Sequence, residues 1–195
     1  MRPKALYFFA KRFYAPVLIS FTQDEGKVAV WITNDRLTRV TGRLTVSLRS
    51  FEGKTGWTKK LEFSVKENSS AELLRITSSQ YRRYDPAKHY LYADVRERNE
   101  QLSENRLFFV EPKHLDLAGA HVRTALRRGA DGSSLLTVRT DRFVKNLRIE
   151  VRGGDVVLDD NYLDIDAGSP KLVRVSSRRP AGLLSKHIVL RWVGR

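Results

Sequence analysis

The sequence predicts an all-β protein: two tandem β-sandwiches preceded by one N-terminal α-helix. Three observations lead there. After Pro16 the apolar residues recur with a period of two, in short runs. Glycine, proline, asparagine and aspartate punctuate those runs. The pattern breaks once, around Pro112, and then resumes in the same style.

Residues 3–13 form the one good helix candidate. Leu6, Phe9, Ala10 and Phe13 fall at i, i+3, i+4 and i+7, which makes one apolar face. Pro3 suits a first helical position, where its missing N–H costs little. Lys11 and Arg12 sit at the C-terminal end, where the helix dipole favours cations. Pro16 then stops the helix. The same two cations interrupt the apolar run too early for a signal peptide. The segment is rich in aromatics and stands alone, so its apolar face needs a partner.

Strand candidates follow at 27–35, 42–51, 57–65, 71–76, 89–98 and 105–110. In the first, Val28, Val30 and Ile32 share a face. In the second, Leu44, Val46 and Leu48 face one way and Arg43, Thr45, Ser47 and Arg49 the other. Segment 78–86 lacks alternation and reads as a looped or short helical connection. These six candidates come close to the pattern of about seven strands of an immunoglobulin-like sandwich.

The second half repeats the style with candidates at 121–128, 133–139, 146–152, 155–158, 161–165, 171–175 and 186–193. Turns are expected at Gly129, Gly132, Gly153–Gly154, Gly168 and Pro180–Gly182. The expected organisation is therefore helix 1–15, first immunoglobulin-like sandwich 16–111 and second sandwich 112–195. The link at 111–118 is short, so the sandwiches are expected to be closely coupled.

Composition narrows the function. Hydrophobic residues make up 41% of the 195, enough for packed cores. No run of about 18 apolar residues is present to span a membrane as a helix. Cysteine is absent, which removes disulfides, thiol nucleophiles and cysteine-based zinc sites. That absence suits cytoplasm and periplasm alike. The net charge of +14 suggests a polyanion partner. Its distribution argues against nucleic acid: residues 1–110 hold 20 Lys/Arg against 12 Asp/Glu, and the rest 16 against 10. The longest basic runs are pairs, among them Arg82–Arg83, Arg127–Arg128 and Arg178–Arg179, which read as solvated faces.

Candidate chemistry is sparse. The four histidines, His89, His114, His121 and His187, form no H-x-x-x-H or H-E-x-x-H pair. No G-x-S-x-G elbow supports a serine nucleophile. Asp159, Asp160, Asn161, Asp164 and Asp166 have calcium-like chemistry but not EF-hand spacing. They read as a turn at 159–161 and a polar strand face. No metal and no cofactor is assigned. Among the aromatics, Trp31 and Trp192 are expected in core or inter-domain packing. Trp57, in the turn GKTGWTKK, is expected to be exposed. With Tyr81 and Tyr84 it forms the candidate carbohydrate-binding cluster.

Several segments together resemble a known family. The opening RPKALYFFAKRFYAPVLIS, then VAVWITNDRLTRVTGRL, NRLFFVEPKHLDL, FVKNLRIEV and DDNYLDIDAG resemble, in order, the C-terminal end of β-mannosidases of glycoside hydrolase family 2. In that family the last helix of the catalytic (β/α)₈ barrel runs into two immunoglobulin-like domains. The resemblance implies that Met1 is not the natural start and that a signal peptide, if one exists, lies upstream. It implies a parent that hydrolyses terminal β-D-mannosides with retention, using two barrel glutamates about 5–5.5 Å apart. No glutamate here matches those motifs, so no catalytic residue is carried over and this chain alone is not expected to be an enzyme. The leading expectation is structural support of a barrel belonging to the same parent chain, with Leu6, Phe9, Ala10 and Phe13 docking on it. The helix would otherwise pack on the first sandwich or on a neighbouring chain by self-association. Two other readings stand beside this one: a carbohydrate-binding module taking an oligosaccharide, and a polyanion-binding protein acting through its basic surface.

Overall fold

The computed structural model describes residues 3–117, 119–129, 133–152, 156–177 and 184–194. The turns expected at Gly132, Gly153–Gly154 and Pro180–Gly182, and the pair Arg178–Arg179, lie outside the described residues. Helix α1 spans Ala5–Phe13. It starts two residues later than expected, because Pro3 and Lys4 lead into the first turn; the Lys4 carbonyl accepts the Tyr7 N–H at 3.0 Å.

Seven strands follow: β1 (Val17–Asp24), β2 (Lys27–Asn34), β3 (Val40–Ser50), β4 (Thr55–Val65), β5 (Ser69–Thr77), β6 (His89–Glu97) and β7 (Glu100–Phe108). Strand β1 is the one the sequence patterning did not delimit. Its alternation holds for buried Val17 and Ile19 and then fades into the exposed run Thr22–Asp24. The connection after β5 is a 3-10 turn, Ser78–Gln80. After the 3-10 turn Pro112–His114 come β8 (Val122–Arg128), β9 (Ser134–Thr140), β10 (Val144–Val151), β11 (Val156–Leu158), β12 (Leu163–Ile165), β13 (Lys171–Ser177) and β14 (Ile188–Val193). The protein is mostly strand with one α-helix among the described residues, as the patterning predicts.

The chain divides into two compact units: 11–50 with 54–115, and 1–10 with 51–53 and 116–195. The first holds a three-stranded sheet, β1-β2-β5, and a four-stranded sheet, β4-β3-β6-β7, all pairings antiparallel. Val28, Val30 and Ile32 of β2 and Leu44, Val46 and Leu48 of β3 are fully buried in its core. This is the period-two pattern turned into a closed apolar layer. At each buried aliphatic the transfer from water contributes about 1.5–3 kcal/mol. The tight β1–β2 turn places Glu25 and Gly26 at φ 44° and 73°. Two consecutive left-handed residues match the twist of a two-residue hairpin. Asn34 is buried and organises the β2–β3 loop: its Nδ2 donates to the carbonyls of Thr38 (2.9 Å) and Lys66 (2.8 Å), and its Oδ1 accepts the Arg36 N–H. Gly42 lies where β3 passes close to β6; a Cβ there would sit 2.2 Å from the Arg96 carbonyl oxygen.

The second unit repeats the plan with sheets β12-β10-β14 and β11-β13-β9-β8. Leu136, Val138, Leu147, Ile165 and Val173 form the centre of its core, each fully buried. Residues 51–53 count with this unit, where Phe51 stacks on Phe143 at 5.2 Å. His121, ahead of β8, and Asp141, after β9, clamp the ends of that hairpin. The Asp141 carboxylate accepts the His121 backbone N–H and contacts its Nδ1, both at 2.8 Å. These bonds, the backbone one first, hold the Asp141 carboxyl below its ordinary range.

Two outcomes are expected. Gly42→Ala lowers the urea midpoint, by overpacking worth about 1–3 kcal/mol, since backbone and not a flexible tip meets the new methyl. The Asp141 contribution is present above the carboxylate's unfolded pKa of about 3.9 and is lost as pH falls through its lower folded value. Asp141→Asn should therefore flatten the acid side of the melting-temperature profile slightly, as scanning calorimetry between about pH 5 and pH 1 would read.

Candidate functional site

A nine-residue helix has no stability of its own in water, since isolated helices shorter than about 12–15 residues are marginal. Helix α1 has good formers, with Ala, Leu, Lys and Arg and no β-branched residue, but that does not suffice. What holds it is Phe8, the helix residue that is buried, at 2% exposure. Its ring meets the ring of Tyr162 at 6.1 Å, and Phe9 meets the same tyrosine at 6.3 Å. Tyr7 packs edge-on against Phe8 at 5.2 Å. A cleft of about 80 Å³ remains beside Phe8, lined by Pro3, Ile149, Leu158, Asn161 and Tyr162 among others. That is far below the roughly 300–1,000 Å³ of sites for organic ligands.

Tyr162 is held in a left-handed conformation, φ 53°, which costs a bulky residue roughly 1–2 kcal/mol. The neighbouring Asn161 offsets this. It is buried, and its Oδ1 accepts the N–H groups of Ile149 (2.7 Å) and Tyr162 (2.8 Å) while its Nδ2 donates to the Ile149 carbonyl (2.9 Å). The acidic segment weighed for calcium is thus a framework for the helix seat. Asp160 accepts the Asn161 N–H, Asp159 the Arg174 N–H and Asp164 the Asn146 N–H, each at 2.8 Å. Among the described residues no group of three His, Cys, Asp or Glu side chains is placed to hold a metal ion.

The helix seat corrects the expectation that α1 packs on the first sandwich, because Phe8 finds its partner, Tyr162, in the second sandwich. The apolar face read from the sequence lies elsewhere on the helix. Leu6 is 72% exposed and Phe13 48%, Ala10 is half-buried, and Phe9 shares itself between Tyr162 and solvent. Tyr14, next in the chain, is 80% exposed. The period-3.6 pattern found this face; nothing in it distinguished Phe8, which sits alone off the stripe.

The proposed carbohydrate cluster is also packed inward. Trp57, expected to be exposed, is half-buried against the first core and donates its Nε1–H to the Gln80 carbonyl at 2.9 Å. Tyr81 stacks on Phe109 at 4.9 Å and donates its hydroxyl to the Gly26 carbonyl at 2.9 Å. Tyr84 covers Gly56, where its ring leaves no room for a Cβ, and accepts a hydrogen bond from Arg83. The three share one core, and each has a structural task there. Trp192 packs on the second core as expected. Trp31 does not belong to the first core: it points outward from β2 between buried Val30 and Ile32.

Comparison with known proteins agrees with this architecture. Residues 26–114 match the Mannosidase Ig/CBM-like domain family and residues 117–192 an Ig-fold domain family of mannosidases. The β-D-mannosidase of Dictyoglomus thermophilum superposes with a TM-score of 0.85 at 21% identity, over 96% of this chain and 23% of that one. The exo-chitosanase CsxA of Amycolatopsis orientalis superposes with a TM-score of 0.59 at 13% identity, over 95% and 26%. At these identities the likeness establishes the fold. The chain spans about a quarter of the length of those solved proteins. No curated protein matches in sequence.

The helix seat makes a prediction. Phe8→Ala removes a buried aromatic of a kind worth about 3–5 kcal/mol, more than a nine-residue helix can supply itself. Helix α1 should melt while both sandwiches stay folded. Trypsin should then cut rapidly at Lys11 and Arg12, and far-ultraviolet circular dichroism should lose its helical component.

Proposed function

We propose, from the match of residues 26–114 to the Mannosidase Ig/CBM-like domain family and of residues 117–192 to an Ig-fold domain family of mannosidases, that this chain is the non-catalytic C-terminal part of a β-mannosidase-like glycoside hydrolase. Its task on this reading is structural. Residues 1–15 end a catalytic (β/α)₈ barrel, and the sandwiches at 16–111 and 112–195 brace that barrel within one parent chain. The parent hydrolyses terminal β-D-mannosides; the two carboxylates that such chemistry requires belong to the barrel.

The observation that carries this reading is the division of labour on α1. Phe8 anchors the helix to its own chain, while Leu6 and Phe13 stand exposed on the stripe that periodicity marks as a packing face. Large apolar side chains at i and i+7 of a short, anchored helix are a docking surface in the ordinary physical sense, since solvent gains nothing from them. The basic surface has no comparable organisation: part of it is met by local carboxylates, as in Arg43–Glu62, Arg36–Glu97 and Arg142–Glu52.

Two measurements test the reading. The chain as it stands should sediment with some self-association through this face, and a Leu6→Asp, Phe13→Asp variant should sediment as a monomer with an unchanged melting temperature. Identical sedimentation of the two proteins, both monomeric, counts against a docking face. The coding sequence upstream of residue 1 should carry alternating strand and helix patterns and two glutamates; an unrelated upstream reading frame sinks the parentage.

A further inference from the structure

The geometry points to a sugar-binding site on the outer face of sheet β1-β2-β5, built on Trp31 and the Glu72–Arg75 pair and taking a neutral pyranoside. This site is independent of the bracing role and lies apart from the Trp57 cluster.

Strand β2 buries Val28, Val30 and Ile32 completely, so Ala29, Trp31 and Thr33 face outward. Register builds a shallow bowl around this row. Ala29 lies between Thr22 of β1 and Arg75 of β5, and Trp31 between Ser20 and Glu72. Ala29 is therefore a small floor, with the indole at one end. The indole is fixed there: its Nε1–H donates to the Thr22 hydroxyl at 3.2 Å. The other end is closed by the Glu25–Gly26 turn, whose Gly26 carbonyl is pinned by the Tyr81 hydroxyl. The resulting cavity measures about 260 Å³. That is close to the lower end of the ligand-site range of roughly 300–1,000 Å³, a size for one or two sugar rings.

The polar wall exists because of a β-bulge. Residues 72 and 75, three apart, would point to opposite faces of a regular strand. Here the pairing runs Val30 with Leu74 and then Trp31 with Glu72, so Leu73 is the extra residue. The bulge turns Glu72 and Arg75 to the same side, where they form a bidentate pair at 2.9 and 2.7 Å. Each partner keeps capacity beyond that pair. The guanidinium has five N–H donors and uses two here, and each carboxylate oxygen has a further lone pair. A fixed acceptor and a fixed donor side by side suit adjacent hydroxyls, and the indole face suits the C–H face of a ring. Aromatic surface with a few convergent polar groups is the general make-up of a small-ligand site.

Charge selects the class of sugar. The lining carries Asp24, Glu25 and Glu72 against Lys27 and Arg75, a local excess of one negative charge on a chain of net charge +14. An anionic saccharide would meet repulsion here while the rest of the surface attracts it. A neutral ring meets neither.

The test uses the whole 195-residue chain, ¹⁵N-labelled. The indole N–H resonances of Trp31, Trp57 and Trp192 are assigned with Trp31→Phe and followed on titration with neutral tetrasaccharides of β-mannan, α-mannan and β-glucan, and with tetragalacturonate. At least one neutral sugar should shift the Trp31 resonance and leave those of Trp57 and Trp192 in place. Trp31→Ala and Arg75→Ala should each weaken that binding at least about tenfold, with unchanged melting temperatures. Trp31→Phe, which keeps an aromatic face, should retain part of the binding and guards against misreading an unfolded variant. The proposal is overturned by a Trp31 resonance that no neutral sugar moves at its solubility limit, by binding that survives Trp31→Ala, or by tetragalacturonate binding the tighter.

Discussion

Strict alternation along the strands is the constraint from which the rest of this structure follows. A β-strand has only two faces, so burying Val28, Val30 and Ile32 leaves no freedom over where Ala29, Trp31 and Thr33 go. The hydrophobic layer closes each sandwich, and the outer faces are what remains. Where function needs a departure from alternation, the protein uses a bulge. Leu73 shifts the phase of β5 by one residue and so places a carboxylate and a guanidinium together beside a tryptophan.

The N-terminal helix obeys a different constraint. It is too short to persist alone, so its existence depends on tertiary contacts. One ring, Phe8, is spent on the seat formed by Tyr162. The seat itself is a strained left-handed residue that Asn161 holds by pairing with both polar groups of the Ile149 backbone. Strain of this kind persists only where the surroundings over-determine it. The sequence DDNY thus serves neither metal nor solvent first. It shapes a ledge for an aromatic helix, and the helix keeps its other stripe exposed.

Net charge is a poor guide to this protein. A balance of +14 invites a polyanion, yet several described arginines pair with nearby carboxylates, Arg43 with Glu62 on the adjacent strand and the loop residues Arg36 and Arg142 with Glu97 and Glu52. Surface pairs of this type contribute little to stability, about 0–1 kcal/mol each. Their consequence is local: they dilute the positive field, and at the Trp31 bowl, where Glu72 and Arg75 offset each other, Asp24 and Glu25 outnumber Lys27.

Much of the secondary structure was legible in the sequence, because alternation and turn chemistry are local properties that a chain carries with it. The ranges around β2, β3, β6, β9 and β13 are written in their own residues. Strand β1 was missed because only its first half alternates; partners on β2 and β7, not its own pattern, keep it extended, as when Ser103 accepts the Ile19 N–H and Asn105 donates to the Ile19 carbonyl. Trp31 was expected in core or inter-domain packing from the general preference of large aromatics, whereas strand parity turns it away from buried Val30 and Ile32. The sequence by itself determined the strands other than β1, the helix and the two-sandwich plan, since each rests on spacing within a dozen residues. Only the tertiary structure decided which aromatic each element buries: Phe8 and not the stripe beside it, Trp57 inward and Trp31 outward. It also decided that Glu72 and Arg75 meet. Those choices turn on one-residue offsets between segments far apart in the chain, and no local period records an offset.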